Sequence, residues 1–406
     1  MPAFRRRSLV AGVFAAAAAG QAAAQPAELR VGALYPASGP FALPGDESFR
    51  GLELATEERN AAGGVAGRQV RLLRGDASDA AQAIAEARRL MGAERAVALF
   101  GTHASQLSFA ATQAAEVQGI PYLELGAMAD SITERGFRNL WRACPRASEV
   151  ASVGIGAVAD ALAPAWGVEP RTLRLAILHE DALDGQAVAD VQEAEIRSRG
   201  LQLATRIGYA ARSADFGPVV QRLRAAQADV LLHAGVQNDI LLLFRGMEEA
   251  GWRPRMVMGA GAGYTYADTA RAVGPGFEGT LNVDVAPVAV AEAAAPGAAA
   301  FVEAYGRRYG AEPRSGHSLS NYAGARICLD ALHRAGGAER DRLRAAMLAT
   351  DIPEGATAAG WGARFDDTGQ NQRARPMVSQ WQDGRLVTVR PEAAAVAAMR
   401  PRLGAA

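Results

Sequence analysis

The chain has 406 residues, 50% of them hydrophobic and 21% charged, with 43 basic and 43 acidic side chains. That length exceeds what one core usually organises, so two lobes are expected, and the composition excludes a disordered chain. A formal net charge of +0, with every basic residue an Arg, excludes the basic face that nucleic acid requires and leaves no Lys for Schiff-base chemistry.

Residues 1–24 read as an export segment. Arg5, Arg6 and Arg7 form a positive start, Leu9 to Ala19 an apolar stretch too short to span a bilayer, and Ala22-Ala23-Ala24 a cleavage site with the cut after Ala24. Arg5 to Leu9 also matches the twin-arginine pattern. No Cys follows this stretch to carry a lipid anchor, so the mature chain is expected outside the cytoplasm and soluble. The two cysteines, Cys144 and Cys328, form no C-x-x-C pair; an oxidising compartment would permit a disulfide, and spacing alone leaves it open.

From Glu28 onward strand and helix signals alternate. Strands are expected at 29–34, 70–73, 96–100 and 121–125, with helices at 49–60, 80–91 and 105–118 between them. The pattern restarts with strands at 173–179, 202–207, 230–233 and 256–259 and helices at 185–199, 216–226 and 239–250. Residues 286–300 read as a loop entering a helix, followed by helices at 301–309, 320–334 and 342–349. The end changes character: 363–365, 377–381 and 386–389 read as antiparallel strands joined by the turns Asp366-Asp367-Thr368-Gly369 and Gln382-Asp383-Gly384. Such β-α-β-α order implies an α/β fold of two doubly wound units with parallel sheets.

Ligands of open α/β sheets bind outside the carboxyl ends of the strands. That rule selects the loops at Tyr35–Pro40, Gly101–Ser105, Gly126–Met128, His179–Gly185, His233–Gln237 and Gly259–Gly263. Within them Thr102, His103, Ser105, Gln237 and Gly261 become candidates. Ser105 opens a helix, where unpaired N–H groups and the dipole favour an anion; a hydroxyl there serves either as a ligand donor or as a plain helix cap. His103, His179, His233, His317 and His333 have no metal-binding spacing, no G-x-G-x-x-G follows the first strand, and no G-x-S-x-G elbow appears. No metal, no cofactor and no catalytic residue is therefore expected. Tyr264, Tyr266 and Tyr322 read either as pocket aromatics or as packing at the lobe rim.

These residues carry a resemblance. Val31-Gly32 to Gly39-Pro40, Gly51-Leu52-Glu53-Leu54-Ala55, Asn60 to Gly67, Gly101 to Ser105, Gly119-Ile120-Pro121, Ala214-Asp215-Phe216, Ala250-Gly251 and Ser379 to Gly384 with Arg390-Pro391 resemble the type I periplasmic solute-binding proteins of ABC transporters, the branched-chain amino acid (Leu/Ile/Val) branch. The likeness runs over nearly all of the mature sequence. It implies two Rossmann-like lobes joined by three crossovers, a hinge that closes on a small carboxylate-bearing solute, an inner-membrane permease partner, and a monomer in the periplasm. Lobe 1 would take 28–144 and 281–357, lobe 2 would take 145–280 and 358–396, and 397–406 would be a tail. Ser105 with the backbone of Gly126 and Ala127 would hold the carboxylate. Two departures stand out: Met128 replaces the usual Thr, and Asp184 replaces the usual aromatic residue before Gly185. An acidic residue is also missing from the 259–263 loop. Asp184 is either a partner for a ligand ammonium or a solvated helix cap. A ligand sensor of the same fold and an exported α/β enzyme are the competing functions; the enzyme would need a nucleophile–base pair or a metal site.

Overall fold

Two runs of short apolar strands close into two sheets. The computed structural model describes residues 28–211 and 213–404; the export segment lies outside them. In the first run, β1 (Leu29–Tyr35), β2 (Val70–Asp76), β3 (Ala98–Gly101), β4 (Tyr122–Glu124) and β5 (Leu140–Arg142) pair in the order β2-β1-β3-β4-β5, all parallel. β1 and β3 are buried on nearly every residue, as parallel strands with helices on both faces require. The helices of this run are α1 (Ala42–Ala61), α2 (Ala80–Gly92) and α3 (Ser105–Gln118). α1 starts seven residues before the expected Phe49 because Pro44 falls in its first turn, where a missing N–H costs nothing.

The chain then crosses. α4 (Ala147–Ala157) runs through a π turn (Val158–Leu162) into the single turn α5 (Ala163–Ala165). Beyond it come β6 (Arg174–Glu180), α6 (Leu183–Ser198), β7 (Gln202–Tyr209), α7 (Gly217–Ala225), β8 (Val230–Ala234), α8 (Gln237–Glu249), β9 (Met256–Ala260), α9 (Ala267–Val273) and β10 (Leu281–Asp284). The chain returns through α10 (Ala298–Tyr309), α11 (Gly316–Arg334) and α12 (Arg340–Leu348), whose Phe301, Tyr305 and Leu319 share one core with Leu29 and Val31 of β1. α11 lies so close to α1 that a Cβ on Gly51 would meet the Ser318 carbonyl at 2.0 Å. A last crossing brings β11 (Met377–Gln382) and β12 (Arg385–Arg390) to the second sheet, whose order is β12-β11-β10-β9-β8-β6-β7. β11 is antiparallel to both neighbours; the other pairs are parallel.

Two expected lobe boundaries differ from this pairing. Leu281–Asp284, expected at the start of the first lobe's second segment, forms β10 of the second sheet. Residues 358–371, expected in the second lobe, pack on the first: Phe365 stands edge-on to Trp141, and Gln370 bridges to Arg142. The expected strand at 363–365 makes only isolated bridges, Ile352 to Ala363 and Phe365 to Asn371.

The crossings meet in one apolar cluster. Cys144 from the first, Val285 from the second and Ala374 from the third pack together around Trp361. Beside it Arg142 is fully buried, with no carboxylate partner among the described residues; its guanidinium donates to Gln370 Oε1 at 2.6 Å, the Ala129 carbonyl at 2.6 Å and Thr133 Oγ1 at 3.2 Å. Both cysteines are free thiols, in neighbouring but separate clusters, so no disulfide closes.

Candidate functional site

Strand order reverses between β2 and β3 around β1, and between β7 and β8 around β6, which opens a crevice at the carboxyl end of each sheet. The two crevices face each other across a cavity of about 160 Å³. The first lobe contributes Phe41 before α1, His103 to Ser105 between β3 and α3, and Gly126, Met128 and Ala129 after β4. The second contributes Glu180, Asp184 and Val188 around the β6–α6 turn, Ala234 to Gln237 after β8, and Ala260 to Gly263 after β9. Val150 of α4, Tyr266 and His317 complete the wall.

The N-terminus of α3 is where an anion belongs. Its N-cap is Ala104, which supplies no side-chain acceptor. Asp184 of the other lobe fills the role: its carboxylate accepts the Ser105 N–H at 2.6 Å and the Gln106 N–H at 3.3 Å. Asp184 is thus not a solvated cap of its own helix, which Ala182 opens without a side-chain bond; it caps α3 of the other lobe. Desolvation raises its pKa, and the hydrogen bonds from Ser105 and Gln106 pull it back. The turn that delivers it is tight, because a Cβ on Gly185 would meet the Glu180 carbonyl at 2.2 Å. The Ser105 hydroxyl accepts the Ala129 N–H at 3.1 Å.

Beneath these loops lies Glu124, wholly buried at the end of β4. It accepts the N–H groups of Gly126 and Ala127 at 2.9 Å each and of Thr102 at 3.0 Å, and the Ser108 hydroxyl bonds to it as well. The backbone of Gly126 and Ala127 therefore points inward to a protein carboxyl, not outward to a ligand carboxylate as expected. Burial pushes Glu124 up to about 7, against the pull of its four donors. From behind, Arg142 holds the Ala129 carbonyl and, at 3.3 Å, that of Ala127. One carboxyl and one guanidinium thus fix the first-lobe edge from inside.

His103 sits against Ser48 (Nδ1 to Oγ 3.3 Å) and edge-on to His317, ring centres 5.0 Å apart. Burial, reinforced by His317, holds His103 well below the ordinary histidine range, so it is neutral. His317 Nε2 faces the buried Asp284 Oδ2 at 3.0 Å, and its Nδ1 has no partner. The Tyr266 hydroxyl is also buried without a hydrogen bond, although the Ser315 side chain lies beside it. Behind the second-lobe wall the Tyr209 hydroxyl donates to Asp239 at 2.9 Å and meets His233 Nε2 at 3.1 Å, while the Tyr264 hydroxyl meets His233 Nδ1 at 2.6 Å. Burial lowers His233 to about 3. No group of metal-binding side chains occurs among the described residues.

Of the residues expected from sequence, His103, Ser105, Gly126, Met128, Asp184, Gln237 and Gly261 line this cavity. Four do not. Thr102 is buried, its hydroxyl donating to the Ala104 carbonyl. Ala127 is fully buried, and Tyr35 is buried with its hydroxyl donating to Asn321 at 2.8 Å. Tyr322 turns to the far side of α11 and binds Glu58 at 2.8 Å, in a separate polar groove with Arg326 and Asp330. His317 and Val150 were missed. His317 stands at the start of α11, which begins four residues before its expected start, and no local pattern links either residue to the strand-end loops.

The described chain matches the family model for periplasmic binding proteins over residues 28–385. A Leu/Ile/Val-binding protein homolog 7 of Brucella suis biovar 1 (strain 1330) is 44% identical over 97% of this chain and 99% of its own. Homolog 8 of Brucella abortus (strain 2308) is 45% identical over 92% of this chain and 93% of its own. Among solved structures, the leucine-binding protein LivK of Thermotoga maritima superposes with a TM-score of 0.78 at 21% identity, over 89% of this chain and 97% of that one. A solute-binding protein of R. palustris in complex with benzoate gives 0.75 at 22%, over 91% and 98%. These likenesses show the fold, two lobes of the type I periplasmic binding architecture. The chain belongs to the periplasmic binding protein family, in the branch of the Leu/Ile/Val-binding protein homologues.

Proposed function

We propose that this chain is the exported binding component of an ABC transporter, and that it clamps a small solute between its lobes, does no chemistry on it, and presents it to a membrane permease. The observation that carries the reading is the cavity itself: its wall is shared between the loop ends of two sheets, and Asp184 of one lobe hydrogen-bonds the backbone of the other across it. A pocket built that way is completed only when the lobes approach, so binding and closure are linked. The apolar cluster that joins all three crossings is the natural pivot. The 1–24 segment supports export, and the relatives' names support binding of a small solute. A carboxylate-bearing solute, the class expected from sequence, would have to take the N-terminus of α3 from Asp184.

A thermal-shift panel of amino acids, organic acids and amides tests this reading. A solute at 100 times its Kd adds about 2.7 kcal/mol of stability. Val188→Trp, which fills the cavity from α6, is expected to abolish the shift, and loss of the gene to abolish uptake of the same solute by the cell. A shift that survives Val188→Trp unchanged places the solute elsewhere and removes the proposal.

A further inference from the structure

The chemistry of the cavity wall selects among solutes. The N-terminus of α3 is a seat for an anion, and Asp184 holds it with both oxygens. Among the described residues no Arg and no Lys lines the cavity, so none of them offers a solute carboxylate a cationic partner there. Of the two histidines in the wall, His103 is neutral. His317 turns Nε2 to the Asp284 carboxylate, which assigns the Nε2 proton; in the tautomer that carries this one proton, Nδ1 is an acceptor. His317 and Tyr266 both line the wall; His317 Nδ1 is buried without a hydrogen bond, and the buried Tyr266 hydroxyl has only the Ser315 side chain beside it. A buried polar atom left unpaired is costly, so a pair of them beside a cavity marks where a solute's polar atoms dock. Phe41, Met128, Val150 and Val188 make the apolar part of the wall, and Glu180 and Gln237 add two further polar side chains.

We infer that Asp184 stands in for a solute carboxylate, and that this receptor takes a small apolar solute with an uncharged polar end, one that offers an N–H to His317 Nδ1 and an acceptor to the Tyr266 hydroxyl. The inference rests on the solute-receptor reading above and names the solute class of the same site. A desolvated carboxylate placed beside Asp184 would meet a like charge a few ångströms away with nothing to offset it, which costs far more than docking an amide of the same shape.

The probes are 4-methylpentanamide and 4-methylpentanoate, which share one apolar tail, with leucine as the zwitterionic control, each titrated calorimetrically into the wild type and Asp184→Ala. The wild type is expected to bind the amide at least about 10-fold more tightly than the carboxylate. Asp184→Ala, which empties the helix terminus, is expected to gain at least about 10-fold for the carboxylate. Asp184→Asn, which keeps the side-chain volume, repeats the comparison and is expected to gain in the same direction should the smaller residue loosen the cleft. The inference is overturned if the wild type prefers 4-methylpentanoate or leucine to the amide, or if neither variant gains affinity for a carboxylate. Compaction of the wild type on leucine, seen by small-angle scattering, would keep the receptor reading while removing the inference; failure of both proteins to bind any probe or any solute of the wider panel removes both.

Discussion

Replacing Glu124 probes the inner support of the first-lobe edge. In Glu124→Ala the buried N–H groups of Thr102, Gly126 and Ala127 and the Ser108 hydroxyl lose their acceptor together. An unpaired buried donor costs about 1–3 kcal/mol, and water entering the vacated volume recovers part, so the expected loss is about 3–6 kcal/mol. Glu124→Gln keeps an oxygen for Gly126 and Ala127 but turns an NH2 toward the Thr102 N–H, for a loss of about 1–2 kcal/mol near neutral pH. The pH dependence separates these effects from plain packing. Burial raises Glu124 from 4.5 to about 7, so between those values the folded state holds a proton that the unfolded state has released. Its contribution is most favourable below pH 4.5 and is lost as pH rises through 7, a span of about 3 kcal/mol at 1.4 kcal/mol per pKa unit. Glu124→Gln lacks that titration, so its deficit relative to the wild type should be largest near pH 5 and shrink or reverse by pH 8. Urea unfolding followed by tryptophan emission, with Trp141 and Trp361 reporting the first lobe and hinge, measures both curves. A deficit independent of pH, or a loss below about 1 kcal/mol in Glu124→Ala, refutes the assignment of Glu124 as a buried, proton-sharing support.

His233 should titrate with the opposite sign. Its pKa is lowered from 6.5 to about 3, so the unfolded state takes up a proton first and this contribution to stability disappears as pH falls from 6.5 toward 3. The wild type minus His233→Gln difference should therefore shrink by about 2 kcal/mol between pH 6.5 and 5, which denaturant unfolding at both values checks. Burial pushes both cysteine thiols well up, so native Cys144 and Cys328 should resist a thiol reagent until unfolding, and a reductant should leave the melting temperature unchanged. Reaction of one equivalent in the native state would contradict their burial.

The architecture was legible because its signals are local. β1, β3 and β8 are near-continuous apolar runs, and each is followed by a turn and an amphipathic or small-residue helix, which is enough to place two parallel sheets and the loops at their carboxyl ends. Short pieces escaped: β5 is three residues, one of them an Arg, and β10 is four with Asn282 and Asp284 among them. Both owe their strand state to neighbours in the sheet and to partners far along the chain, Gln370 for Arg142 and His317 for Asp284.

The site was legible as a set of loops and not as a set of contacts. Sequence places Ser105 at a helix start and Asp184 before a glycine, but nothing in it says that the second side chain reaches the first helix, since the two lie 79 positions apart and on different lobes. Likewise the Gly126 and Ala127 N–H groups looked like ligand donors until Glu124, two and three residues away, proved to hold them. Tyr322 shows the reverse failure: a residue on a helix near the crossings, its face decided by packing against α1, which turns it to Glu58 on the other side of the lobe.

The central claim is that a solute sits between the lobes and is touched by both. Hydrogen exchange of the wild type, with and without the solute that gives the largest thermal shift, tests it most directly. The account predicts slowed exchange in 103–109 and 126–130 of the first lobe together with 181–188 and 260–266 of the second. Protection confined to one lobe, or to the groove that holds Tyr322 and Arg326, would contradict it.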